Sequence, residues 1–250
     1  MKYLLFIVWS LLFCSKIVAQ QSSIVYHPFQ GGFVFAEQKK DLLTGQNIRS
    51  GRFILEANTS VQYKFPVKSR IFLYGGLGYS LKYHTTSHEG TISDIAVHLG
   101  LDNDIPAQEA RLNNRNVRHT DHYLTFNSGA EFLLSSSKKK TKFYLFTGVN
   151  LDMLLGTRVD PSFYKFIYFL PKMVGQSSID SEIVSFVKDR KHRYLPSIEF
   201  GPKIQIGNLS LNWRFRAYLN TLSPAFEMPP IGLLGLFVWE FPINSKHKNE

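Results

Sequence analysis

Residues 209–220 read LSLNWRFRAYLN and alternate without a break. Leu209, Leu211, Trp213, Phe215, Ala217 and Leu219 fall on one side of an extended chain. Ser210, Asn212, Arg214, Arg216, Tyr218 and Asn220 fall on the other. An extended strand sends successive side chains to opposite faces. One face is therefore as apolar as a lipid tail, while the other carries two arginines.

The same period of two recurs along the chain. It predicts strands near residues 25–37, 52–65, 70–84, 122–134, 142–156, 194–206, 209–220 and 231–241, eight in all. In RFILEANTSVQYKF (52–65), Phe53, Leu55, Ala57, Val61, Tyr63 and Phe65 oppose Glu56, Asn58, Gln62 and Lys64. The first segment, VYHPFQGGFVFAE, is weakly patterned and interrupted by Pro28 and two glycines. Short turns at 66–69, 135–141 and 207–208 alternate with long links at 38–51, 85–121, 157–193 and 221–230. Short turns on one rim and long loops on the other mark an up-and-down transmembrane barrel. Strand lengths near the ~9–11 residues of a tilted bilayer crossing agree. So do aromatics near strand ends: Phe53, Phe65, Tyr83, Tyr123, Phe143, Tyr194 and Trp239, placed as in interfacial girdles. A closed barrel also satisfies every backbone group internally, which lipid requires. The fold expected is all-β, a closed antiparallel barrel of eight strands, with ten as the alternative. A soluble sandwich or lipocalin-like barrel is the competing architecture.

The ends agree with an envelope location. MKYLLFIVWSLLFCSKIVAQ has a lysine, an apolar run and a small-residue site before Gln20, the pattern of a cleaved signal peptide over residues 1–19. Residues 20–241 then form one barrel domain and 242–250 a polar periplasmic tail. The single cysteine, Cys14, lies in the leader, so disulfides and cysteine-ligated metals are excluded from the mature chain. Lys and Arg number 29 against 19 Asp and Glu, a net charge of +10. In that compartment the excess points to anionic lipid head groups rather than nucleic acid.

With these features, including the aromatic close GLFVWEF at 235–241, the chain resembles the small outer-membrane β-barrel proteins of Gram-negative bacteria, of the OmpA and OmpX type. The resemblance covers residues 22–241 and implies an eight-stranded barrel in the outer membrane. The chain departs from it in continuing as NSKHKNE after the final strand.

Parity places Glu56, Glu131, Asp152, Glu199 and Glu240 inside such a barrel, with Lys64, Lys82, Lys203, Arg214 and Arg216. An eight-stranded lumen is just wide enough for side chains to fill. Charges there need partners, so an ion-paired plug is expected, with small, erratic conductance at most. Basic residues near the loops, Arg190, Lys191 and Arg193 among them, are candidates for lipopolysaccharide phosphates. Five of the eight histidines fall within 84–122. His84, His119 and Asp121 point inward at the mouth as a candidate zinc, copper or nickel site. With Ser87 they also supply the residue types of an acyl hydrolase. The apolar run PSFYKFIYFLPKMV (161–174) suggests a partner contact or a folded lid, and short helices are expected near 180 and within 85–121.

The role expected is non-enzymatic and free of cofactors: structural, adhesive or interacting through loops 85–121 and 157–193, which would meet an envelope protein or surface lipid. A subunit of a secretion or envelope-assembly system is one alternative. A rim enzyme acting on lipid A or peptides is the other.

Overall fold

The computed structural model describes residues 22–41, 47–88, 115–135, 140–159 and 189–242. The expected leader and periplasmic tail, the apolar run 161–174 and the expected loop helices lie outside these residues. Eight strands follow in order: β1 (Ser23–Lys40), β2 (Asn47–Lys68), β3 (Ile71–His88), β4 (Arg115–Leu133), β5 (Thr141–Val159), β6 (Tyr194–Ile206), β7 (Leu209–Tyr218) and β8 (Ile231–Pro242). Each pairs antiparallel with its neighbours, and β8 returns to β1, with Ile24 opposite Phe241 and Phe33 opposite Leu233. The ring is complete with eight strands, so the ten-stranded alternative does not apply.

Local chemistry explains the irregularities. β1 bulges between His27 and Gln30, around Pro28, which has no N–H for the ladder. β5 bulges beside Leu155, turning Leu154 toward the interior core. The β6–β7 hairpin turns on Gly207 and Asn208, with Gly207 at φ +59°, a left-handed conformation that glycine adopts freely.

The distribution of side chains is inverted relative to a soluble protein. Trp213, Phe215, Leu233 and Phe53 face outward and are exposed, while Arg214 and Arg216 are buried. Tyr63 and Phe65 stack on the outer face with centroids 6.0 Å apart, and Phe35 meets Phe53 edge-on at 5.7 Å. Phe53 and Phe65 are separated by 12 residues of β2. That is ~40 Å of strand at ~3.3 Å per residue, or roughly 28 Å of height at a tilt of ~45°. The interval matches the thickness of a hydrocarbon core. Tyr123 departs from the girdle expected: it faces the lumen and is fully buried, because its parity is that of Thr125 and Asn127.

Packing inside the barrel has an apolar part as well. Val34, Ala36, Ile54, Leu195 and Leu234 line the lumen toward the long-loop end. Leu222, Ala225 and Phe226, from the link between β7 and β8, descend onto them and are buried. That link is strapped to β1: the Lys39 and Lys40 amides donate to the Ala225 carbonyl at 2.7 and 3.1 Å, and the Glu227 amide to Glu37 at 2.9 Å. The fourth long connection is therefore a plug in the mouth.

Candidate functional site

The barrel interior holds three tiers of charge. Nearest the short turns, Lys64 of β2, Glu131 of β4, Lys203 of β6 and Glu240 of β8 meet at the axis, one from every second strand. Lys64 Nζ lies 2.6 Å from Glu131 and 2.8 Å from Glu240, and Lys203 Nζ lies 2.9 and 2.7 Å from the same two. Each ammonium thus bridges both carboxylates. Gln205 donates to the second Glu240 oxygen at 2.6 Å, and the Phe72 and Tyr144 rings flank Lys64 at 4.7 and 4.8 Å.

The middle tier joins Glu56, Lys82, Asp152, Glu199, Arg214 and Arg216. Lys82 Nζ sits 2.7 Å from Asp152 and 3.1 Å from Glu56. Arg214 donates to Glu199 Oε2 at 2.8 Å, and Arg216 Nε to Glu199 Oε1 at 2.5 Å. Arg216 also pairs with Glu56, whose other oxygen accepts the Tyr218 hydroxyl at 2.7 Å. Thr125 donates to Asp152 at 2.7 Å and Asn58 to Glu56 at 3.0 Å, using further carboxylate lone pairs. Such bonds offset desolvation that would otherwise exceed the Coulomb gain.

The third tier lies under the mouth. Lys191, from the segment preceding β6, turns inward and pairs with Asp121 of β4. His84 Nε2 is 3.0 Å from Asp121 and 3.3 Å from Lys191 Nζ. His119 stacks on His84 with centroids 4.9 Å apart, and its Nε2 is 2.8 Å from the Thr86 hydroxyl. Phe226 of the plug meets His84 edge-on at 5.9 Å. Burial pulls the Lys191 ammonium below the ordinary lysine range, against the opposing pull of the Asp121 carboxylate.

Two expectations are corrected here. His84, His119 and Asp121 lie side by side but do not form a ligand set: among the described residues no group of three or more His, Asp or Glu side chains is arranged to hold a metal. The carboxylate is held by an ammonium, and the His119 Nε2 by a hydroxyl. Lys191 is not at the surface; it is buried, whereas Arg190 and Arg193 on either side are exposed. A loop residue has no parity to read, so its inward turn left no mark in the sequence. The side chains of Ser87 and His88, and residue His98, lie outside the description. His84 Nε2, the atom a nucleophilic serine would need, is already engaged with Asp121 and Lys191.

By formal charge the three tiers carry two acids and two bases, three and three, and one and one. The described ion-paired interior is therefore neutral, and the net charge of +10 resides elsewhere. Each carboxylate is held by a cation, which suits a locked interior better than proton transfer or ion passage.

No family model matches the chain, and no curated protein matches it. Among solved structures it is similar to Ail, the attachment invasion locus protein of Yersinia pestis, determined in complex with the heparin analogue sucrose octasulfate. That likeness is at 10% identity, over 89% of this chain and 99% of that one, with a TM-score of 0.31. It is also similar to the outer membrane protein AlkL, determined in DMPC bilayers, at 11% identity over 91% and 93% of the two chains, with a TM-score of 0.32. A third is Pseudomonas putida OprB in its high-pH structure, at 8% identity over 88% and 94%, with a TM-score of 0.27. Likenesses of this degree carry no argument about what the chain does.

Proposed function

We propose that this chain is an outer-membrane barrel with a sealed interior and a non-enzymatic role, acting through the loops at its long-loop rim. The observation that supports it is the inverted wall: apolar side chains outside, and a paired, neutral set of charges inside beneath an apolar plug. Hydrocarbon outside and no open path within leave the rim as the surface for recognition. There, exposed Arg190 and Arg193 supply guanidinium groups suited to lipopolysaccharide phosphates. Loops 85–121 and 157–193 are the candidate contacts for an envelope partner.

Two measurements test this reading. Membrane fractions run unheated and heated should show the mobility shift of a folded barrel, and planar bilayers should show small, erratic currents. Large, steady openings would defeat the sealed interior. Charge reversal at Arg190 and Arg193 should lower lipopolysaccharide retention; unchanged retention would remove these two residues from the role.

A further inference from the structure

We infer that the outer wall just above the apolar band carries a binding site for the phosphate of an outer-leaflet lipid headgroup, built on His122, Thr120 and Arg158, with Tyr79 as positioning residue; this rests on reading the barrel as membrane-spanning.

The register assembles the group. Thr120 of β4 stands opposite Tyr83 of β3 on one side and Arg158 of β5 on the other, and His122 stands opposite Gly156. Adjacent strands are ~4.8 Å apart, and diagonal neighbours on one face lie within ~7–8 Å. Arg158 is diagonal to His122, and to Arg118, which lies two positions toward the rim. Arg118 and Arg158 are both exposed on the outer face. Among the described outward residues of β3, β4 and β5 there is no Asp or Glu. The exposed Arg158 guanidinium, diagonal to the His122 ring, offers the charge that an anion there would take.

His122 adds direction. Its Nδ1 is hydrogen-bonded to the Tyr79 hydroxyl, with ring centroids 6.0 Å apart. A phenol at the edge of hydrocarbon has one proton to place, and Nδ1 is the acceptor offered. The imidazole proton then belongs on Nε2, as an outward donor. Gly156 opposite leaves open space where a side chain would stand, a notch beside the ring.

Height and neighbours select a lipid over a free anion. From Phe132 to His122 is 10 residues of β4, ~33 Å of strand and roughly 23 Å of height at a ~45° tilt. That reaches the top of an apolar band ~25 Å tall. Below His122 the wall is apolar, with Leu124 and Phe126 on β4 and Leu155 beside the notch. Acyl chains would lie there while the headgroup phosphate meets Arg158 and His122.

The test is native mass spectrometry of the refolded full-length barrel with bisphosphorylated lipid A, dephosphorylated lipid A, or inorganic phosphate alone. The wild type should retain the phosphorylated lipid, while Arg158→Glu and His122→Ala each lower occupancy about tenfold, as loss of one charge-assisted contact predicts. Arg158→Gln serves if the glutamate variant does not fold. Tyr79→Phe should move the His122 tautomer in the imidazole ¹⁵N spectrum, which a packing role would not. Unchanged retention in the Arg158 variants would overturn the site, as would equal retention of the dephosphorylated lipid. Full displacement by millimolar inorganic phosphate would overturn the lipid as its occupant. Loss only on reversing Arg190 and Arg193 would leave the rim contact standing and remove this one. A protein lacking heat-modifiable mobility would instead sink the barrel reading itself.

Discussion

Lys82 of β3 reaches past β4 to Asp152 of β5, its Nζ 2.7 Å from the carboxylate. The same ammonium lies 3.1 Å from Glu56 on β2, so one side chain ties together strands on both its sides. Because Lys82 pairs with buried Asp152 and shares Glu56 with Arg216, Lys82→Met should destabilise the barrel by ~3–5 kcal/mol, the usual cost of stranding buried charge. Replacing Lys82 and Asp152 together by apolar residues should cost less than the single change. Urea unfolding in detergent micelles or vesicles measures both. A single variant as stable as wild type would mean that Asp152 finds another partner.

Tyr74 lies across the registered glycine pair Gly129 and Gly148. A Cβ on Gly148 would stand 2.3 Å from the Tyr74 hydroxyl and 2.9 Å from the Ser128 carbonyl. Gly148→Val should therefore lower stability by ~1–3 kcal/mol through overpacking. Gly75, where a Cβ meets only the Asn127 carbonyl at 3.8 Å, should accept alanine with little change. Equal effects at the two positions would contradict this account of the interior.

Val149 is exposed on the outer wall, opposite Ser128 and Ile198. If hydrocarbon surrounds it, Val149→Arg should cost ~2–4 kcal/mol near mid-bilayer, less at the interfaces. A neutral effect in vesicles would place the wall in water. Val149→Leu is the control and should be silent.

Lys191 is held below the ordinary lysine value by burial. Between that lowered value and ~10.4 the unfolded chain binds more protons than the fold. Stability from this group therefore rises with pH across the window. Lys191→Met should lower stability near neutrality, where Asp121 loses its cation, yet flatten the rise in the alkaline window below ~10.4. Urea midpoints of wild type and variant between pH 8.5 and 10.5 read the slope, and parallel slopes would refute the assignment.

Phe226 caps the apolar tier and leans on His84 at 5.9 Å. Phe226→Ala removes a buried ring and should cost ~3–5 kcal/mol. The loss should appear with stronger current fluctuations in planar bilayers if the plug contributes to the seal. Wild-type currents in the variant would leave the seal to the ion pairs beneath.

The strands were legible because side-chain direction is a local property. Once the chain is extended, parity alone sends Glu199, Lys203, Arg214 and Arg216 to one face and Phe200, Trp213 and Phe215 to the other. The same rule placed Tyr123 inside, against the weaker rule that aromatics near strand ends belong to a girdle. What parity does not contain is the stagger that closes the ring, and stagger decides which charges meet. Lys82 finds Asp152, and Lys64 finds both Glu131 and Glu240, because tilted strands bring residues from non-adjacent positions to one height on the axis. The irregular connections were opaque for a related reason. Nothing periodic marks Lys191 as inward or the 222–226 segment as a plug; the apolar space that takes the plug and the Asp121 carboxylate that takes Lys191 are in place only after the barrel has closed.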